Sequence, residues 1–106
     1  MKERYLRIIL FFDLPTKTKS DKRNYILFRR FLLKQGFLMM QWSVYSRICK
    51  GDDSTDKYFR RIETNLPPKG NIRILKITEK QYAGMKLLLG KFIPEEQFGV
   101  QQLLVF

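Results

Sequence analysis

The chain has 106 residues, with 21 Lys or Arg against 10 Asp or Glu, no histidine and one cysteine, for a formal charge of +11. That length fits one domain, and a 44% hydrophobic fraction fits one packed core. The lack of histidine excludes Ser-His-Asp and Cys-His nucleophile systems, imidazole acid–base chemistry and nearly every common zinc site, leaving carboxylate chemistry or binding.

Residues 5–12 (Tyr-Leu-Arg-Ile-Ile-Leu-Phe-Phe) are almost continuously apolar and predict a strand buried on both faces, ending at Asp13. A polar loop follows. Thr18 and Asp21 have capping-box spacing, with Ser20 as a rival cap, and the pattern from Asp21 to Gln35 predicts an amphipathic helix. Its inward face carries Tyr25, Leu27, Phe28, Phe31 and Leu32. After Gly36, the run Phe37 to Cys49 reads as one long strand with a bulge or bend near Gln41 to Ser43. Residues 50–54 form a turn that caps a second helix over roughly 53–65, with Tyr58, Phe59 and Ile62 inward.

A third strand spans Asn71 to Thr78, where a slip in apolar phase between Ile74 and Leu75 suggests another bulge. Residues 79–84 read as a short turn or helix, 85–89 as a short strand, 94–99 as a polar link and 103–106 as a terminal strand. This order predicts an α+β, ferredoxin-like sandwich: an antiparallel sheet with two helices on one face and extra C-terminal strands. The other sheet face needs a cover. Apolar groups among Phe37, Met39, Tyr45, Ile72 and 103–106 are expected to be buried by a second copy of the chain, with the terminal strand adding to its sheet edge.

Charge is uneven: residues 1–50 hold 12 basic and 3 acidic side chains, a net of +9, while the remainder nets +2. A polyanionic partner, nucleic acid first, is the expectation. Between Pro15 and Lys34, seven basic residues (Lys17, Lys19, Lys22, Arg23, Arg29, Arg30 and Lys34) stand against Asp21 alone. They could follow a phosphate backbone or form a solvated helix face. Trp42, Phe37, Tyr45 and Tyr82 could stack on bases, though aromatic residues in strands are more often core.

Of the carboxylates, Asp21, Asp52, Asp53 and Asp56 stand at helix starts, where capping and the dipole account for them. Asp13 differs, because it emerges from an apolar strand with no helix to cap. It is either an Asx-turn at the loop entry or a ligand for a hard cation such as Mg²⁺. One carboxylate is a thin metal site, but a two-fold axis that brings Asp13 to its mate would supply two. The lone Cys49 fits a reducing compartment. No run approaches the roughly 18 apolar residues of a spanning helix, and Asp13 interrupts the first apolar run too early for a secretory signal. The expected location is cytoplasmic, with no membrane partner.

The segments Ile-Leu-Phe-Phe-Asp13-Leu-Pro, Phe31-Leu-Leu-Lys-Gln-Gly36-Phe37, Gln41-Trp-Ser-Val-Tyr45 and Gly70-Asn-Ile-Arg73, the last leading to Thr78-Glu-Lys-Gln-Tyr82, have a distinctive order and separation. Over residues 4 to about 90 the chain resembles the Cas-two family of CRISPR adaptation proteins, in particular the variant of type II-A systems. The resemblance implies a ferredoxin-like homodimer that sits between two dimers of the CRISPR integrase and holds prespacer duplex DNA along its basic surfaces during spacer acquisition. It also implies a metal-dependent endonuclease activity, with single-stranded RNA as a further substrate. Asp13 would be the catalytic residue and a Mg²⁺ (or other divalent cation) ligand shared across the dimer, with Ser43 at the site edge. Residues 1–90 would then be the nucleic-acid-binding domain, and 91–106 a link and strand docking on the dimer partner or the integrase. The alternatives are a protein that is primarily a Mg²⁺-dependent endoribonuclease or DNase using Asp13 across the dimer, and a non-catalytic structural RNA-binding protein.

Overall fold

The computed structural model describes residues 4–91, so the expected link at 94–99 and terminal strand at 103–106 lie outside the described residues. Strand β1 (Tyr5–Asp13) is central, pairing antiparallel with β3 (Val44–Lys50) on one side and β4 (Asn71–Thr78) on the other. With β2 (Leu38–Gln41) the sheet order is β2-β3-β1-β4. Helices α1 (Lys19–Lys34) and α2 (Gly51–Glu63) lie between strands in chain order, giving the ferredoxin-like βαββαβ arrangement; a short α3 (Glu79–Ala83) follows β4.

Thr18, not Ser20, caps α1. Its hydroxyl accepts from the Asp21 N–H at 3.0 Å, and the Asp21 carboxylate accepts from the Thr18 N–H at 3.2 Å. Such a cap contributes about 1 kcal/mol. α1 buries Phe28 and Leu32, with Tyr25 and Phe31 packed partly against them. Leu27, expected inward, is 51% exposed. The reason is geometric: each residue turns about 100°, so a stripe centred on Phe28 and Leu32 leaves Leu27 about a third of a turn away.

Residues 37–49 correct the expectation of one long strand. They form a hairpin, β2 to β3, turning at Trp42 and Ser43, with a register irregularity between Met39 and Gln41. Ser43 takes a positive φ of 67°. α2 starts at Gly51, earlier than expected, and its N-cap residue Lys50 makes no side-chain cap. The Gly51 N–H donates instead to the Arg4 carbonyl at 2.8 Å. Tyr58 and Ile62 are buried and Phe59 is half-buried.

β4 has the expected bounds but no bulge: its pairing with β1 runs unbroken from Leu6 opposite Thr78 to Asp13 opposite Asn71. The apolar slip arises because Ile74 faces the helices while Leu75 faces the other way, 51% exposed. Residues 85–89 form no strand, since no described segment pairs with them.

Leu6, Ile8, Leu10 and Phe12 are all buried on the helix-facing side of β1. Register places Tyr45 and Ile72 on that side too, opposite Leu10 and Phe12, and Phe37 joins the same core with Met39 packed against it. Some of these four were expected on the other face. Instead that face is built from Arg7, Ile9, Phe11 and Asp13 of β1, flanked by Val44, Ser46 and Ile48 and by Arg73, Leu75 and Ile77. α3 reaches over one end of it: Arg7 Nε donates to Glu79 at 2.6 Å, and its guanidinium lies 3.9 Å from the Tyr82 ring centre.

A second arginine fastens the helix layer. Arg47 Nε donates to the Gln35 carbonyl at the end of α1 at 2.7 Å, Nη2 to the Tyr58 hydroxyl of α2 at 2.6 Å, and Nη1 to the Ile48 carbonyl. Gly36, at φ 86°, makes room for it: a Cβ there would lie 3.2 Å from Arg47 Nε. Among the described residues no helix is long and apolar enough to cross a membrane.

Candidate functional site

Asp13 is the last residue of the central strand, where the apolar sequence runs out. Its pairing opposite Asn71 places its side chain on the face away from α1 and α2. Two loops close on this strand end. On one side, Gly70 adopts φ 108°, and a Cβ there would stand 2.5 Å from a Leu14 methyl carbon and 2.7 Å from the Asp13 carbonyl oxygen. On the other, the Ser43 carbonyl accepts from the Phe12 N–H at 3.0 Å. Sequence elements far apart, Asp13, Ser43 and Gly70-Asn71, thus meet at one edge of the sheet.

The Asp13 carboxylate is exposed and has no hydrogen-bond or ion-pair partner among the described residues, so it does not form the Asx-turn considered as its structural role. No three His, Cys, Asp or Glu side chains cluster among those residues. Asp13 is the one carboxylate in the described strands, and Asp21, at the same end of the molecule, is buried and engaged in the α1 capping box. As a hard oxygen donor Asp13 suits Mg²⁺, which commonly takes one or two protein carboxylates and completes its shell with water and phosphate oxygens.

All seven basic residues singled out between Pro15 and Lys34 are exposed. The short loop from Asp13 to α1 brings Lys17, Lys19, Lys22 and Arg23 to the Asp13 end of the molecule. α1 then runs back along the sheet for 16 residues, about 24 Å, which carries Arg29, Arg30 and Lys34 progressively away from it. Arg29 has a structural tie as well, because its Nε donates to the Tyr45 hydroxyl at 3.0 Å. The outer surface of α1 is not purely basic; Ile26, Leu27 and Leu33 are exposed on it.

Two features escaped the sequence reading. Arg73 is exposed opposite Phe11, on the same face as Asp13 and one pleat from Asn71, a placement that the two-residue period counted from Asn71 would have given. Trp42 is 73% exposed rather than core, because it sits at a hairpin tip and not in a strand. Burial pushes the Tyr25 hydroxyl above its usual pKa, with Tyr45 adding to the shift and Arg29 opposing it. Burial likewise raises the Cys49 thiol, partly offset by Arg47, which keeps it protonated and disqualifies it as a nucleophile at neutral pH.

The family model for the CRISPR associated protein Cas2 matches residues 6–85. The chain is 46% identical over 102 residues to the CRISPR-associated endoribonuclease Cas2 of Acidovorax ebreus, covering 95% of this chain and 100% of that protein. It is 44% identical over 86 residues to the protein of the same name from Treponema denticola, covering 81% and 85% of the two chains. A solved structure described as the crystal structure of cas2 superposes with a TM-score of 0.51 at 13% identity, covering 85% of this chain and 92% of that one, a likeness of fold. With four strands in this order, Asp13 at the end of the first, and a family match across the described fold, the chain belongs to the Cas2 family.

Proposed function

We propose that the protein serves CRISPR adaptation in the cytoplasm as a homodimeric scaffold that holds prespacer duplex DNA and bridges subunits of the CRISPR integrase. The observation that carries this reading is the contrast in inventory: seven exposed basic side chains on one loop and helix, against a single unpartnered carboxylate at the sheet end. Exposed cations displace condensed counterions from a phosphate backbone whatever its sequence, which suits a protein that must accept any prespacer. The partly uncovered sheet face, with Phe11 and Leu75 at its centre, supports assembly with a second copy.

Metal-dependent phosphodiester hydrolysis is a second reading, favoured by the endoribonuclease names of the relatives and by Asp13 itself. In a dimer joined through the open face, Asp13 of each chain would hold the cation between them. A bound Mg²⁺ supplies charge neutralisation at phosphate and a more acidic water. Asp13 would anchor it, while Lys17, Lys19 and Arg73 would bind the flanking phosphates. With no histidine in the chain and one unpartnered carboxylate at this strand end, no second side chain among the described residues is positioned as a general base, which is why the scaffold stands first.

Asp13→Ala separates the two. Its Mg²⁺-dependent cleavage of RNA and DNA is measured beside spacer acquisition in cells that retain the integrase. Cleavage lost with acquisition retained supports the scaffold; both lost in a variant that still folds and dimerises makes hydrolysis part of the mechanism. Replacing Lys19, Lys22, Arg23 and Arg30 by Ala should weaken duplex binding and lower the log–log salt slope by about 0.9 for each phosphate contact removed. An unchanged slope rejects this surface. Tight binding of structured RNA with no preference for duplex DNA would favour a structural RNA-binding role instead.

A further inference from the structure

We propose that Trp42 is a stacking platform for an unpaired nucleobase at the Asp13 end of the sheet, an inference that rests on the nucleic-acid reading above. The first observation is exposure: the chain's one tryptophan is 73% exposed at a hairpin tip, although so large an apolar ring is normally well buried. The second is that this exposed ring is held in place. It stacks on Tyr25 with centroids 6.2 Å apart and planes 25° from parallel. Tyr25 in turn meets Phe12 at 5.6 Å, and Phe12 meets Tyr45 at 5.5 Å and Phe28 at 5.7 Å inside the core. Trp42 is the outer end of an aromatic series rooted in the core. One ring face is supported and the rest lies open, so little freedom is lost when a second planar group lands on it.

Backbone geometry points the same way. Gln41 and Val44 are paired, so Trp42 and Ser43 alone make the turn, and Ser43 holds the left-handed φ of 67° that a non-glycine residue adopts at a cost. The Phe12 N–H fixes this turn through the Ser43 carbonyl, one residue before Asp13. Contact with Tyr25 draws Trp42 towards the α1 side of the sheet, away from the open face where a second copy would pack.

The occupant follows from chemistry. Lys22 and Arg29 stand at i−3 and i+4 from Tyr25 on α1, neighbouring positions on the helix surface, and residues 37–50 include no carboxylate. An open aromatic face leaning on a helix that carries cations matches a base and its phosphates, as in single-strand-binding grooves. Inside a duplex no base has a free face, and at a blunt end only the terminal pair does; the ligand is an unpaired nucleotide, in a single strand or in the overhang of a duplex, and quenching by a blunt duplex as strong as by the other probes overturns that choice.

Because Trp42 is the sole tryptophan, its emission in the full-length protein reports this position alone. The probes are a single-stranded DNA oligonucleotide, a duplex with short 3′ overhangs and a blunt duplex of the same length, each labelled so that anisotropy follows binding independently. We expect quenching by the single strand, the overhang duplex or both, the pattern identifying the source of the base, and little quenching by the blunt duplex. Trp42→Ala should weaken binding of the quenching probe ~5- to 100-fold with an unchanged salt slope, while Trp42→Phe keeps most of the affinity. Oligonucleotides that bind to saturation with unmoved emission and undiminished Trp42→Ala affinity overturn the stacking site and leave the scaffold reading intact. No binding of any probe overturns both.

Discussion

The two faces of the central strand are built to different ends. On the helix-facing side Ile8 and Leu10 are fully buried, locked between Tyr45 and Ile74 in the sheet and Phe28, Leu32, Tyr58 and Ile62 from the helices. On the opposite side the same strand passes from Arg7 and Ile9, which are buried, to Phe11, which is 41% exposed, and then to Asp13 in solvent. One face holds the chain in its fold; the other changes from packed to open within four alternating residues. The candidate site lies where packing stops, so substitutions there should separate assembly and ligand effects from folding.

The sharpest test of that division is Leu10→Ala, which should cost about 2–5 kcal/mol in a denaturant titration, since the cavity it leaves is walled by rigid neighbours. A loss under about 1 kcal/mol would mean that the helix-facing core can collapse around the gap. Gly70→Ala comes next. Its methyl would press on Leu14 and the Asp13 carbonyl in a backbone conformation that L-residues avoid, so we expect roughly 1–3 kcal/mol of destabilisation, with weakened function at the Asp13 end even below the melting temperature. Phe11→Asp should change monomer stability by less than about 1 kcal/mol yet abolish the proposed self-association in sedimentation. If that variant still dimerises, the open face is not where two copies meet.

The smallest effect is electrostatic. Lys76 donates to Asp52 at 2.9 Å, and this hydrogen bond, followed by the charge itself, holds the Asp52 carboxyl below its usual pKa and raises that of Lys76. A lowered carboxyl contributes stability above its unfolded value and loses it as pH falls through the folded one. The raised lysine contributes below its unfolded value and loses it as pH rises through the folded one. The pair is therefore fully present between about pH 5 and 9. Asp52→Asn should lower Tm slightly at pH 7 in low salt, and the difference should fade at 1 M salt or towards pH 2, because both groups are exposed.

Much of this was legible from the residues. β1 and β4 carried unmistakable apolar runs, the Thr18–Asp21 spacing located the start of α1, and Asp13 stood out by emerging from an apolar strand without a helix to cap. The hairpin was not legible, because a two-residue turn normally announces itself with Asn-Gly or a similar pair, whereas here Trp42-Ser43 makes it. That hidden turn reversed β3, carried Tyr45 into the helix-facing core and left Trp42 outside. Likewise the phase slip at Ile74-Leu75 looked like a bulge, because sequence alternation cannot distinguish a break in pairing from an apolar residue on an uncovered face.

Arg47 leaves one further consequence. It clamps the end of α1, its own strand and α2 through two carbonyls and a phenol, and it sits at the negative pole of the α1 dipole. Its planar fork aims several donors at once, so one side chain fixes three elements. The strut from Arg7 reaches α3 alone, through the Glu79 carboxylate and the Tyr82 ring. Local opening should therefore come first at α3, while both long helices stay docked. Amide exchange should be faster around residues 79–83 than at the end of α1.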